Sequence, residues 1–369
     1  MAGALSKSLV SGIVIAAAVA AMVAPTPADH QPSLAEAAGR LGLLVGAAVD
    51  PAHFSEPDYA ETLAREFNMV EPENVMKWRH IEPARGHFDF GAGDQVVSFA
   101  AAHQMKVRGH NLLWPARNPA WVTDGHFTPA ELREILHEHI ATVAGHYGGK
   151  VFAWDVVNEA FDSRGRLRHS VWYDEPGIGL AGRGTAYVEQ AFRWAREADP
   201  KALLFYNDYA AEGLNAKSDA IYTMVRDFKR CGVPIDGVGL QMHVAVGSPE
   251  GISVLTSLDA NITRLARLGV QVQITEMDVS LPLPEGQTSE PPADSPEVRQ
   301  QAGLYGRVAA ICAGNPGCTA FQTWGVTDRY SWIPVFTHGK RGSGLLFDND
   351  YRPKPCYQAV LKALMDAWR

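Results

Sequence analysis

What most constrains this chain is a rhythm. From about residue 40 to the end, short apolar runs suited to strands alternate with longer amphipathic stretches suited to helices. The strand candidates are Leu43–Ala48, Asn68–Val70, Met105–His110, Val151–Asn158, Leu203–Asn207, Val238–His243, Val272–Glu276 and Thr319–Gly325. Between them, Pro129–His146 reads as a helix entered through Thr128 as N-cap. Thr185–Ala198 reads as a second, stopped by Asp199-Pro200, and Ser218–Cys231 as a third, ended at Gly232. Eight β-then-α units in succession predict an α/β fold, a single (β/α)8 TIM barrel. A doubly wound open sheet is the competitor, but no glycine-rich dinucleotide turn follows the first strand. No fixed short repeat is visible, which argues against a solenoid or propeller.

Composition narrows the function classes. A chain of 369 residues, 46% hydrophobic and 20% charged, has ample material for a large core and is neither disordered nor fibrous. The net charge of −8 carries no block of like charges, which argues against a nucleic-acid partner. Leu281–Pro296, with five prolines, resembles a linker. Because a helical pattern over Glu297–Ala313 follows it, it reads as a long barrel loop rather than a domain boundary.

The N-terminal segment reads as a targeting signal. Lys7 precedes an apolar run from Leu9 to Ala24, which Pro25 and Pro27 then break. This predicts a signal peptide over residues 1–28, cut after Ala24 or Ala28, and a secreted or periplasmic catalytic barrel over residues 29–369. The rival reading is an uncleaved anchor. The apolar run, about 16 residues, falls short of the ~20 that a spanning helix needs, so no stable membrane span is expected in the mature form. Cys312 and Cys318 flank the turn-forming Ala313-Gly314-Asn315-Pro316-Gly317, and a disulfide between them is expected in an oxidising compartment. Cys231 and Cys356 have no assigned pairing. No CxxC pair or His cluster suggests a metal site.

In such a barrel the reactive groups stand at the C-terminal ends of strands. Those ends read Arg108-Gly109-His110, then Asn158-Glu159, Tyr206-Asn207-Asp208-Tyr209, Gln241-Met242-His243, Glu276-Met277-Asp278 and Trp324-Gly325, with Trp332 following. Singly each has a bland reading as core, surface or packing residue, but the barrel gathers them in one basin. Two glutamates there suit glycoside hydrolysis, in which one carboxyl delivers a proton and the other stabilises the anomeric centre. Glu276 and Asp278 share a face of an extended strand, and His243 on the neighbouring strand can hydrogen-bond to Glu276. Glu159 follows Asn158 among apolar and aromatic neighbours, surroundings that suit a general acid. Trp114, Trp324 and Trp332 are candidates for stacking on sugar rings.

These residues resemble glycoside hydrolase family 10, the retaining endo-β-1,4-xylanases, over essentially all of residues 40–365. The matching stretches are Pro72-Glu73-Asn74-Val75-Met76-Lys77-Trp78, Arg108-Gly109-His110 and Trp154-Asp155-Val156-Val157-Asn158-Glu159-Ala160. Tyr206-Asn207-Asp208-Tyr209, Gln241-Met242-His243, Thr275-Glu276-Met277-Asp278 and Trp324-Gly325-Val326-Thr327-Asp328 continue the order. Tyr330-Ser331-Trp332, Leu346-Phe347-Asp348 and Lys354-Pro355 complete it.

The resemblance implies xylan and xylo-oligosaccharides as substrates, no cofactor or metal, and a monomer as sufficient. It implies Glu159 as acid/base and Glu276 as nucleophile, with His243 linked to Glu276 and Asp278 behind it. Asn158 would meet the 2-hydroxyl at the cleavage site. Glu73, Asn74 and Lys77 would bind sugars on the non-reducing side, with His110, Trp114 and Gln241 along the same wall. Trp324 and Trp332 would cap this region, and Asn207 and Tyr209 would sit on its rim. Asp155 and Asp328 read as structural. Three stretches depart from the family pattern: Pro115-Ala116-Arg117 stands in place of His-Ser-Gln, Ala210 in place of a frequent Asn, and the loop His338–Gly344 is basic and glycine-rich. Arg117 either pairs with an acidic substrate decoration or points to solvent. The loop is of a kind that moves over a site or shapes acceptor binding.

Overall fold

The computed structural model describes residues 31–174, 176–283, 291–292 and 294–368. The predicted signal peptide and half of the proline-rich stretch lie outside them. Within these residues, eight parallel strands pair side by side and close on themselves. We number them β1 (Leu44–Val49), β2 (Met69–Pro72), β3 (Lys106–Leu113), β4 (Ala153–Asn158), β5 (Leu203–Asp208), β6 (Gly237–Leu240), β7 (Gln271–Pro282) and β8 (Cys318–Thr323). Closure comes from β1 against β8, where Leu44 sits opposite Ala320 and Ala47 opposite Thr323. The strands are buried almost throughout, as parallel strands covered by helices must be.

Local chemistry sets the helix starts. Thr128 caps the helix Pro129–His146 and Glu131 answers to its backbone, with Pro at the first helical position. Asn215 and Ser218 form the same reciprocal cap on Ala216–Arg230. The helix Pro296–Gly314 runs into Cys312, which is disulfide-bonded to Cys318 at a Cα separation of 5.1 Å. Cys231 is exposed and Cys356 buried, and both are free thiols. Among the described residues no helix is long and apolar enough to cross a membrane.

Two strands differ from the sequence reading. The run Val238–His243 does not continue as one strand. β6 stops at Leu240, Met242 takes a left-handed backbone with φ of 66°, and His243–Ala245 pairs afresh with β7. β7 in turn runs on past Glu276 to Pro282, because its upper half pairs both with that short strand and, antiparallel, with Arg341–Gly342. The loop around Arg341 is therefore pinned. The Arg341 guanidinium donates to Ser280 Oγ at 2.9 Å, Ser280 O at 2.7 Å and Val246 O at 2.8 Å.

Below the cleft the barrel interior is polar. Arg108 on β3 lies between Glu71 on β2 and Asp155 on β4, and donates to Gln273 on β7. All four side chains are buried. Packing around them is close: a Cβ at Gly109 would fall 2.3 Å from the Trp154 ring opposite it. Asp328 sits 2.5 Å from Lys354 Nζ, far along the chain. The first and last described helices also meet. Trp368 Nε1 donates to Ala37 O at 3.0 Å, and the Arg40 guanidinium lies 4.3 Å from the Trp368 ring centre.

Candidate active site

At the C-terminal ends of the strands lies an open cleft of roughly 630 Å³. Of the site residues predicted from sequence, all but Asn207 and Asp278 line it.

Glu276 rises from β7 and is held from two sides. Asn207 Nδ2 on β5 donates to its Oε1 at 2.7 Å, and His243 Nε2 lies 3.2 Å from its Oε2. Asn207 was expected on the rim as a sugar contact, but it is fully buried. Gly239 makes room for it, since a Cβ there would fall 2.2 Å from Asn207 Oδ1. Thr275 Oγ1 donates to that same oxygen at 2.7 Å, which orients the amide so that its nitrogen faces Glu276 and Asn158.

Glu159 is delivered from the opposite wall by a turn. β4 ends at Asn158, and Glu159 takes φ of 57°, a conformation that costs a non-glycine residue about 1–2 kcal/mol. Two hydrogen bonds hold this turn: Glu159 N donates to Asn207 O at 2.9 Å and Ala160 N to Tyr206 Oη at 3.0 Å. Tyr206 donates to Asp208 at 2.5 Å, and Asp208 sits 2.6 Å from the buried Lys217 Nζ. Burial pushes the Asp208 carboxyl up to about 7 against the pull of Lys217. The Glu159 carboxylate receives Gln241 Nε2 at 3.1 Å on one oxygen and Trp114 Nε1 at 3.2 Å on the other. Gln241 and Asn207 both donate to Asn158 Oδ1, at 3.2 and 3.0 Å. A chain of three amides thus joins the two carboxylates.

His243 faces carboxylate oxygen with both ring nitrogens, Nδ1 lying 2.9 Å from Asp278 Oδ2. Burial works against a charged ring, but the Asp278 carboxylate, and then Glu276, hold its pKa well above the usual 6.5. Asp278 also accepts Trp332 Nε1 at 2.8 Å, which fixes that indole over the cleft. With a raised folded pKa, the stability from this ring is complete below about 6.5 and is lost as pH rises through the folded value. The expected result is an imidazolium that persists at about pH 7.5 in the nitrogen-15 NMR spectrum of His243. A neutral-ring shift at that pH would contradict it.

On the third wall, Glu73, Asn74 and Lys77 follow β2, with Lys77 Nζ donating to Asn74 Oδ1 at 2.9 Å. Burial raises the Glu73 carboxyl and lowers the Lys77 ammonium, each partly offset by the other's charge. His110 is buried in the floor, its Nδ1 2.9 Å from Asp155 Oδ2. Glu71, His110 and Glu276 present ligand atoms within 4.8 Å of one another. Arg108 already supplies positive charge beside Glu71, at 3.3 Å, so this trio is poorly suited to a divalent ion.

A family model described as Glycosyl hydrolase family 10 matches residues 33–363. The chain belongs to glycosyl hydrolase family 10. It is similar to endo-1,4-beta-xylanase B of Thermotoga neapolitana, 42% identical over 326 residues that cover 88% of this chain and 89% of the relative. Among solved structures, native xylanase 10B from Thermotoga maritima matches with a TM-score of 0.82 and 42% identity, over 90% of this chain and 98% of that one. Xylanase 10B from Thermotoga petrophila RKU-1, solved in complex with xylobiose, matches with a TM-score of 0.83 and 42% identity, over 91% and 98%. This family 10 chain is a glycoside hydrolase.

Sequence reasoning left several residues of this family 10 site unassigned. Arg79 and Phe336 line the cleft, and Glu71 and Arg108 lie beneath it. For Glu71 a signal was present: it is a charged residue directly after the apolar run Met69-Val70 and two residues before Glu73. Arg79 and Phe336 lie beyond strand ends, where no periodicity points to the cleft.

Proposed function

We propose that this family 10 enzyme hydrolyses internal β-1,4 bonds of xylan with retention of anomeric configuration. Glu159 acts as general acid and then base, and Glu276 as nucleophile. The observation that supports this reading is the unequal setting of the two carboxylates. Glu276 is clamped by the Asn207 amide and by His243 with its raised pKa, an arrangement that fixes an attacking oxygen. Glu159 stands on the facing wall, with one oxygen on an indole N–H and the other on an amide N–H. A sugar lying between them meets Glu276 at its anomeric carbon and Glu159 at the leaving oxygen. The bond to the leaving sugar breaks as the Glu276 bond forms, and Glu159 gives its proton to the departing oxygen. Water then gives a proton back to Glu159 and displaces Glu276, restoring the starting configuration.

Asn158, from the amide chain, meets the 2-hydroxyl of the reacting sugar. Trp114 and Trp332 offer faces for the pyranose rings, and Trp332 together with Trp324 crowds the place where a hydroxymethyl group would project. An open cleft suits an endo-acting enzyme. Export through the N-terminal segment completes the proposal, and the Cys312–Cys318 bond is of the kind kept in oxidising compartments.

Products on glucuronoxylan followed over time, with proton NMR of the newly formed anomer, test the reading. Early release of mixed oligosaccharides with a β-anomer first is the expected result. An α-anomer first, or faster turnover of cellotriose than of xylotriose, would reject it.

A further inference from the structure

We propose that the non-reducing-side wall of the cleft binds the carboxylate of a uronic-acid branch on the substrate, through Arg117 assisted by Arg79. The inference rests on the xylanase reading and adds a substrate class to it.

Three cations stand on this wall. Lys77 and Arg79 follow β2, Arg117 follows β3, and all line the cleft. Lys77 is accounted for by its bond to Asn74 and by the charges of Glu276 and Glu73. The other two are not. Among the described residues, neither Arg79 nor Arg117 pairs with a carboxylate. Arg79 Nε reaches only His80 Nε2, at 3.1 Å. The Arg117 guanidinium lies 5.7 Å from the centre of the Trp114 ring, and Lys77 Nζ lies 5.3 Å from that same centre. The indole thus has two cations within about 6 Å of its centre. Its own N–H is bonded to Glu159, so the patch begins beside the proposed point of cleavage.

Such a grouping gives a neutral substrate nothing to pair with. Burial above all depresses the Lys77 ammonium, and the charge of Arg79 adds to that effect. The chain as a whole carries a net charge of −8, and Glu73, Glu159 and Glu276 line the same cleft, so two arginines without a carboxylate partner stand out there. A pentose polymer offers only hydroxyls, which a neutral amide binds as well as a guanidinium does. A branch carboxylate matches the planar guanidinium donors of Arg117, and Arg79 adds positive charge from the same cleft. Arg117 remains exposed, so the branch can stay largely in water while its carboxylate is held.

The test uses the full chain and two matched xylo-oligosaccharides, one linear and one carrying a glucuronyl branch on a sugar that remains in the non-reducing product. The readout is the ratio of kcat/KM, branched over linear. Arg117→Gln is expected to lower this ratio roughly three- to tenfold, the size of a partly exposed charge pair. Arg117→Lys should fall between wild type and Arg117→Gln, and the Arg79→Gln/Arg117→Gln double variant should fall lowest. Salt at about 0.5 M screens exposed charges, so it should lower the wild-type ratio and leave that of the double variant unchanged.

An unchanged ratio in the double variant would overturn the proposal. So would a parallel fall on both substrates, which would make Arg117 an ordinary hydroxyl contact. A wild type that cleaves the linear but not the branched compound would overturn the proposal alone. A wild type that cleaves neither would overturn the xylanase reading as well.

Discussion

Glu276→Ala should reduce xylan hydrolysis on the order of 10⁵-fold and should do so on every substrate, whatever its leaving group. The loss is uniform because the bond to Glu276 forms in the first step of any cleavage. The substitution also leaves His243 Nε2 without its acceptor and takes one of two acceptors from Asn207 Nδ2, which keeps Asn158 Oδ1. Azide entering the vacated space attacks the anomeric carbon from the side that Glu276 occupied, in one displacement, and yields a glycosyl azide of inverted configuration. Chromatography and NMR of the azide product check this. An azide product of retained configuration, or substantial turnover without azide, would remove the nucleophile role.

Glu159→Ala should behave differently, and the contrast separates the two carboxylates. Loss of the proton donor should slow xylan about 10²–10⁴-fold, since a sugar alkoxide is a poor leaving group. Aryl glycosides of acidic phenols need little proton assistance, so their first step should persist and the glycosyl-enzyme should accumulate. A burst of phenol in rapid-mixing kinetics reports it. Azide added here attacks the intermediate from the opposite side and gives a product of retained configuration. Equal damage to xylan and to activated aryl glycosides would show that Glu159 is not the acid.

The eight units were legible because the strand bodies are largely apolar and polar residues gather at their C-terminal ends, a contrast that survives without neighbours or coordinates. Legibility failed where pairing decided the outcome. Val238–His243 is apolar enough to read as one strand, but Met242 turns left-handed and sends His243 to a new partner on β7. The extension of β7 past Glu276 was written in the alternation of Met277, Val279 and Leu281, all buried. Its cause lay far off, in Arg341–Gly342.

Much of the cleft-lining set was similarly readable, because strand-end position brings side chains to the basin, whereas Glu73, Asn74 and Lys77 came only from the family resemblance. Whether a strand-end residue faces the basin or lies beneath it is a different matter. Asn207 lies beneath because Gly239, on the adjacent strand, leaves a side-chain-sized gap beside it. The Tyr206–Asp208–Lys217 support of the Glu159 turn joins a strand to the helix after it, and no local pattern announces such a bond.

The bond between Trp368 and Ala37, together with the pairing of β1 and β8, has a consequence for how such a ring is encoded. Residues from both limits of the folded unit sit side by side, and the hydrogen-bonded hoop has no privileged first stave. A circularly permuted gene, with a short bridge across that seam and new termini in an exposed turn elsewhere, specifies the same neighbours for every strand. With those new termini placed between Glu159 and Glu276, the two carboxylates would trade their order along the polypeptide while keeping their places in space.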